Sequence, residues 1–141
     1  MSFEGILSDI KVLDFSTLLP GPLASLFLSE MGAEVIKVER LKFGDEMRRK
    51  TPEIDGTNVS FAILNRGKNS IEIDLKNVLQ NEKLKKLIKE VDIVLEQFRP
   101  GVMKRLGLDY DSIKLINPKI IYVSITGYGQ EGPKSNFAGH D

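Results

Sequence analysis

The sequence predicts an α/β fold: a Rossmann-like, open and mostly parallel sheet with helices on both faces. Five short runs of apolar and β-branched residues alternate with segments whose apolar residues recur at helical spacing. The connections are long enough for right-handed crossovers between parallel strands. In such a sheet ligands bind beyond the carboxyl ends of the strands, so those ends are where a functional site is expected.

The first strand–helix–strand unit opens the chain. A strand at Ile10–Phe15 leads through a Pro-Gly-Pro turn to a helix at Leu23–Met31 and a strand at Glu34–Glu39. Proline in the first helical turn and Gly32 just beyond the last are typical helix boundaries. The charged, aperiodic segment Arg40–Thr57 is predicted to be a long surface loop.

The rest of the chain continues the alternation without a repeat or linker that would divide it, so residues 1–141 are predicted to form one domain. A helix, a strand, a helix, a strand, two short helices and a strand are predicted at Val59–Leu64, Ser70–Leu75, Val78–Glu90, Asp92–Glu96, Val102–Leu106, Asp109–Leu115 and Ile120–Thr126.

Composition excludes several classes of function. Twenty basic and twenty acidic residues balance, so no overall field favours nucleic acid or an anionic membrane. The apolar runs are too short for a membrane span, and the N-terminus lacks the features of a signal peptide. Without cysteine, disulfides and thiolate nucleophiles are excluded, and one histidine makes a metal site improbable. We expect a cytoplasmic protein, or one of an organelle matrix in a eukaryote.

The single histidine, His140, is the first candidate for proton transfer, because no other side chain here titrates near neutral pH without help. The alternative is a histidine without a role. Arginines and glycines collect at the predicted strand ends, as in an anion-binding crevice. Arg48 and Arg49, taken singly, are interpreted as ordinary surface charge.

A dinucleotide site is the obvious alternative for this fold. Glu39 ends the second strand, where an acid would hold a ribose. The first turn, however, lacks the G-x-G-x-x-G pattern that lets the backbone approach a pyrophosphate, and no P-loop sequence is present. Both sites are therefore disfavoured.

Six segments in order resemble the family III CoA-transferases and the related α-methylacyl-CoA racemases, the CaiB/BaiF family. They cover nearly the whole chain: L-P-G-P-L-A-S at Leu19–Ser25, G-A-E-V-I-K-V-E-R at Gly32–Arg40, N-R-G-K-N-S-I-E-I-D-L-K at Asn65–Lys76, E-Q-F-R-P-G-V-M-K-R-L-G-L at Glu96–Leu108, N-P-K-I-I-Y-V-S-I-T-G-Y-G-Q-E-G-P at Asn117–Pro133 and A-G-H-D at Ala138–Asp141.

This resemblance implies an acyl-CoA site, with coenzyme A entering as part of the thioester substrate and no permanently bound cofactor or metal. Arg40 would contact the phosphorylated adenosine end. Gln97 stands where the transferases often have asparagine. The backbone of Ile73, Asp74, Leu75 and Lys76 would hold the adenine, and Gln97, Phe98, Arg99 and Arg105 would line the rest of the CoA path.

The end of the chain bears on which subfamily applies. Gly139-His140-Asp141 has the racemase form, which predicts an acyl-CoA racemase whose His140 exchanges the α-proton of a 2-methylacyl thioester with a downstream aspartate. In the alternative, a transferase uses a downstream aspartate as nucleophile to move CoA between carboxylic acids. A third possibility is a CoA-binding module without turnover.

The length of the family bears on the domain assignment. Its members are more than twice as long as this chain and form interlocked homodimers. We therefore expect residues 1–141 to be an N-terminal CoA-binding domain without the small domain and the C-terminal segment, and to be inactive alone. Whether this chain forms a dimer is left open.

Overall fold

The structure, a computed structural model, describes residues 5–139. Five strands form one sheet in the order β5-β2-β1-β6-β7, and every neighbouring pair in it is parallel. The remaining two strands form a separate antiparallel hairpin. The strands are β1 (Lys11–Asp14), β2 (Glu34–Arg40), β3 (Glu53–Ile54), β4 (Thr57–Asn58), β5 (Asn69–Ile73), β6 (Ile93–Glu96) and β7 (Ile121–Ser124).

Five α-helices and one 3₁₀ helix connect the strands. They are α1 (Pro20–Glu30), the 3₁₀ helix Glu46–Arg49, α2 (Val59–Leu64), α3 (Val78–Ile88), α4 (Val102–Arg105) and α5 (Tyr110–Ile116). The predicted α/β fold with a parallel five-stranded sheet is confirmed, and every predicted helix and strand is present within a few residues of its expected bounds. No helix in the described range is long and apolar enough to cross a membrane.

Alternation along β1 divides the core into two layers. Val12 packs with Ala33 and Val35 toward Leu28 of α1. Its neighbour Leu13 points to the opposite face, where the buried side chains of α3, α4 and α5 cover the sheet. Because successive side chains of a strand face opposite ways, this pattern requires helices on both faces. Burying each large aliphatic side chain contributes about 2 kcal/mol.

The segment predicted as a long surface loop, Arg40–Thr57, is more ordered than expected. It contains the 3₁₀ helix and most of the β3–β4 hairpin, and its Asp45 is 1% exposed. The Asp45 carboxylate accepts the N–H of Met47 and so caps the 3₁₀ helix. The prediction was wrong because polar side chains within the segment bond its own backbone, which leaves no apolar periodicity to read.

Candidate functional site

The largest cleft of the described residues lies at the carboxyl ends of β1, β2, β5 and β6, and α4 forms part of its wall. Its volume is about 1350 Å³. This is the edge at which ligands of open α/β sheets bind. The lining residues are Phe15, Thr17, Val38, Glu39, Arg40, Leu41, Lys42, Phe43, Gly44, Glu46, Arg49, Ile73, Asp74, Leu75, Lys76, Phe98, Val102, Arg105 and Leu106.

Most of the residues implicated in CoA binding converge on this cleft, although they are far apart in the chain. Five of the residues that line it are basic and three are acidic. The predicted residues that line the cleft are Arg40, Ile73, Asp74, Leu75, Lys76, Phe98 and Arg105, and those that do not are Gln97, Arg99 and Gly139.

Gln97 has a different position from the one expected. Its side-chain oxygen accepts the N–H of Gly21 at 2.9 Å, at the start of α1. The flanking Pro20 and Pro22 have no N–H to offer. A Cβ on Gly21 would lie 2.1 Å from the Cβ of Ser16, so only glycine fits there. The helix start that binds pyrophosphate in dinucleotide-binding proteins is therefore closed by the chain itself.

The backbone at the end of β5 is partly used within the chain. The N–H of Asp74 donates to the side chain of Gln80 at 2.7 Å, and the N–H of Lys76 donates to the carboxylate of Asp74 at 3.0 Å. The carbonyl oxygen of Leu75 accepts the side-chain amide of Asn81. These bonds hold the segment rigidly at the cleft and leave fewer backbone groups for a purine than we expected.

Two guanidinium groups share one aromatic ring on the opposite wall of this region. The guanidinium carbon of Arg40 lies 4.5 Å from the ring centroid of Phe43, and that of Arg49 lies 4.9 Å from it. Arg49 also donates to the carbonyl oxygen of Phe43 at 3.0 Å. We call Arg40, Phe43 and Arg49 the arginine wall.

Arg48 forms a stabilising ion pair with Glu39. Its guanidinium makes two hydrogen bonds to the Glu39 carboxylate, at 2.6 and 2.7 Å. Burial acts to raise the pKa of Glu39, but the hydrogen bonds from Arg48, Ser70 and the N–H of Asp45 lower that pKa to about 2. The carboxylate is thus fully committed, and it is not available to hold a ribose.

Two buried lysine–carboxylate pairs lie beneath the cleft, and we call them the buried charge cluster. Lys37 Nζ lies 2.9 Å from the carboxylate of Asp45, and both side chains are almost fully buried. Lys68 Nζ lies 3.6 Å from the carboxylate of Asp14, and they are equally buried. Burial lowers the pKa of Lys68 to about 8, although Asp14 opposes that shift.

The cluster connects segments that are distant in sequence. Lys37 also donates to the carbonyl oxygen of Ser16, and Asp45 accepts the N–H of Leu18. Lys68 donates to the carbonyl oxygen of Pro22 at the start of α1. Sequence reasoning missed these roles by treating the lysines as solvated. The available signal was Lys37, a lone cation among the β-branched residues of an interior strand.

The chain returns to the sheet at its last described residue. Gly139 packs backbone to backbone against Gly127, which follows β7. A Cβ on either glycine would lie within 2.6 Å of the other's Cα, so neither position accepts a side chain without movement. His140 and Asp141 lie outside the described residues, and their predicted roles stay predictions. Across residues 5–139 no group of three acidic side chains could hold a metal ion.

Comparison with known proteins gives consistent relatives. The chain is 44% identical over 142 aligned positions to a succinate–glutarate CoA-transferase of Agrobacterium fabrum, covering 96% of this chain and 36% of that protein. It is 43% identical to the human succinyl-CoA:glutarate CoA-transferase, covering 96% and 31%. The chain therefore spans about a third of the length of these curated relatives.

Solved structures and sequence profiles agree with those relatives. A CaiB/BaiF family protein from Brucella suis superposes with a TM-score of 0.92 at 39% identity, over 98% of this chain and 38% of that one. The profile of CoA-transferase family III matches residues 7–141. The predicted family is thereby confirmed: this chain belongs to CoA-transferase family III.

Proposed function

We propose that this chain supplies the CoA-binding domain of an enzyme that transfers CoA between carboxylic acids. The observation that carries the proposal is the convergence of Arg40, residues 73–76, Phe98 and Arg105 on one cleft with an excess of basic residues. The names of the relatives, which act on dicarboxylic acids, support a transferase over the racemase that the sequence pattern suggested.

The cleft matches the chemistry of CoA at both of its ends. The arginine wall and Lys42 offer cations to the phosphates, and guanidinium groups suit bidentate contacts with them. Phe15, Phe98 and Leu106 offer apolar surface for the less polar arm that carries the thioester. In this proposal CoA enters and leaves as substrate, and no cofactor stays bound.

The transfer itself needs a nucleophile that the described residues are not proposed to supply. A carboxylate attacks the thioester carbonyl, the bond to sulfur breaks and the CoA thiolate leaves; the thiolate then attacks the acyl group of the second acid. The family resemblance places that carboxylate further along the chain. Residues 5–139 would bind CoA and fix its path.

The racemase remains a second candidate because of Gly139-His140-Asp141. Racemisation requires a base that removes the weakly acidic α-proton and a stabilised enolate. The close contact of Gly139 with Gly127 fixes the position from which His140 continues. This keeps His140 at the end of β7, where a catalytic residue of this fold is expected.

One experiment with the enzyme that carries this chain separates the candidates. Succinyl-CoA is incubated with glutarate in deuterium oxide, and in a second reaction a 2-methylacyl-CoA is incubated alone. Acceptor-dependent CoA exchange supports the transferase, and deuterium entry at the α-carbon that His140→Ala abolishes supports the racemase. Saturable CoA binding with neither reaction supports a binding module, and absence of CoA binding contradicts all three.

A homodimer, cytoplasmic localisation and the extent of the domain, residues 1–141, belong to the same proposal. Light scattering of the purified protein tests the dimer directly. A mass of one chain in solution at micromolar concentration would contradict it.

A further inference from the structure

The arginine wall has an unusual arrangement of charge. Two guanidinium carbons lie within 4.9 Å of the same ring centroid, so two positive charges are held near each other at the cleft. The Phe43 ring is about half exposed and supports both through cation–π contacts. Like charges this close repel each other, and the arrangement is stabilised when an anion binds between them.

Neither guanidinium of the arginine wall has a carboxylate partner among residues 5–139. The nearest acid on β2, Glu39, is occupied by Arg48. Glu46 and Asp74 line the same cleft but form no ion pair with either arginine. The adjacent residues 48 and 49 thus differ sharply, because only the first is neutralised within the chain.

Arg49 is also oriented rather than free to move. Its guanidinium donates to the carbonyl oxygen of Phe43, and this bond fixes the group over the ring while its other N–H groups stay available. The buried charge cluster holds the segment that carries both residues, since Asp45 lies between Phe43 and Arg49 in the chain and pairs with Lys37. A guanidinium oriented in this way loses less conformational freedom on binding.

We propose that Arg40 and Arg49 together form a site for a phosphate monoester dianion, which in coenzyme A is the 3′-phosphate. This inference rests on the proposed function, because it takes CoA as the ligand. It adds Arg49, a residue that sequence reasoning assigned to surface charge, as a determinant of specificity for CoA over dephospho-CoA.

The charge of the ligand group selects the monoester over the pyrophosphate. A phosphate monoester carries nearly two negative charges at neutral pH and three acceptor oxygens, whereas each phosphorus of the pyrophosphate linkage carries about one charge. Two adjacent guanidinium groups match the first in charge and can each bond it through two N–H groups.

The test compares CoA with dephospho-CoA, which lacks only the 3′-phosphate, by isothermal titration calorimetry on the complete protein. The variants are Arg49→Gln, Arg49→Lys and the control Arg66→Gln. The control removes one positive charge from an exposed residue that pairs with Glu30 outside the cleft. Binding of dephospho-CoA reports that the cleft is folded in each variant.

We expect Arg49→Gln to raise the dissociation constant of CoA about tenfold, the loss of one charge-assisted contact, and that of dephospho-CoA about twofold or less. Arg49→Lys should fall between Arg49→Gln and the wild-type protein, and Arg66→Gln should change neither ligand. Equal losses for both ligands, or no loss for CoA, would overturn the inference. If the wild-type protein bound neither ligand, the proposed function itself would fail instead.

Discussion

The buried charge cluster and the arginine wall lie next to each other and use charge in opposite ways. In the cluster, Lys37 and Lys68 are buried and paired with Asp45 and Asp14. In the wall, Arg40 and Arg49 are exposed and contact an aromatic ring. Charges that the fold has neutralised serve position, whereas those left without partners in the described chain are available to a ligand.

The contrast is sharpest between neighbours. Arg48 and Arg49 are adjacent in the 3₁₀ helix, yet Arg48 forms two hydrogen bonds with a buried carboxylate and Arg49 faces the cleft. A pair of basic residues in a sequence therefore does not reveal which one binds and which one stabilises. That difference depends on Glu39, which reaches only one of them.

The largest effect is expected from breaking the buried charge cluster. Asp45→Ala leaves the Lys37 ammonium buried without its counter-charge and removes the cap of the 3₁₀ helix. The free energy of unfolding should fall by about 3–5 kcal/mol, measured by urea denaturation. The matched change Glu46→Ala, at the exposed next residue, should alter it by about 0.5 kcal/mol or less. Similar losses for both variants would contradict the role of the cluster.

A second prediction concerns the pH dependence of stability through Lys68. Its pKa is about 8 in the folded protein against an ordinary value of 10.5, so between these values the unfolded chain binds more protons. The free energy of unfolding should therefore rise with pH across this window, relative to Lys68→Met, which cannot titrate. Denaturation series at pH 7.5 and 10 measure the difference. A gap between the two proteins that stays constant would contradict the lowered pKa.

The third prediction tests the two neighbouring arginines directly. Arg48→Gln should destabilise the protein by about 1–2 kcal/mol, because the Glu39 carboxylate loses two charge-assisted hydrogen bonds, while Arg49→Gln should cost about 0.5 kcal/mol or less. Thermal denaturation of both variants measures this. Equal costs would show that the two side chains are not divided in this way.

Acid titration sharpens the same comparison. The pKa of Glu39 is lowered from 4.5 to about 2, so its contribution is complete above pH 4.5 and is lost as the pH falls toward 2. In Arg48→Gln this part of the acid dependence should shrink, whereas in Arg49→Gln it should persist.

Periodicity predicted the sheet and its helices because those elements bury apolar faces that repeat every two or 3.6 residues. It could not predict the course of residues 41–57, since their order comes from Asp45 and Asn58 capping local backbone groups. The cleft residues Arg40, Phe98 and Arg105 were found through family motifs. Phe43, Arg49 and the buried lysines were not, because their roles depend on partners distant in the chain.

The smallest stability effect is expected at Phe43. Phe43→Leu keeps an apolar side chain but removes the ring beneath both guanidinium groups, so stability should change by about 0.5 kcal/mol or less. Affinity for CoA should fall about threefold, since each exposed cation–π contact contributes about 0.5–1 kcal/mol. Calorimetry on the same samples checks both values, and unchanged affinity would mean that the ring does not position the arginines.

Amide hydrogen exchange with and without CoA tests the central claim, that this cleft binds CoA, most directly. We predict that CoA slows exchange in residues 41–49, 74–76 and 98–106, which carry the cleft walls, and leaves the exposed face of α1 around Phe27 unchanged. Protection confined to α1, or saturable binding without protection of the cleft segments, would contradict the account.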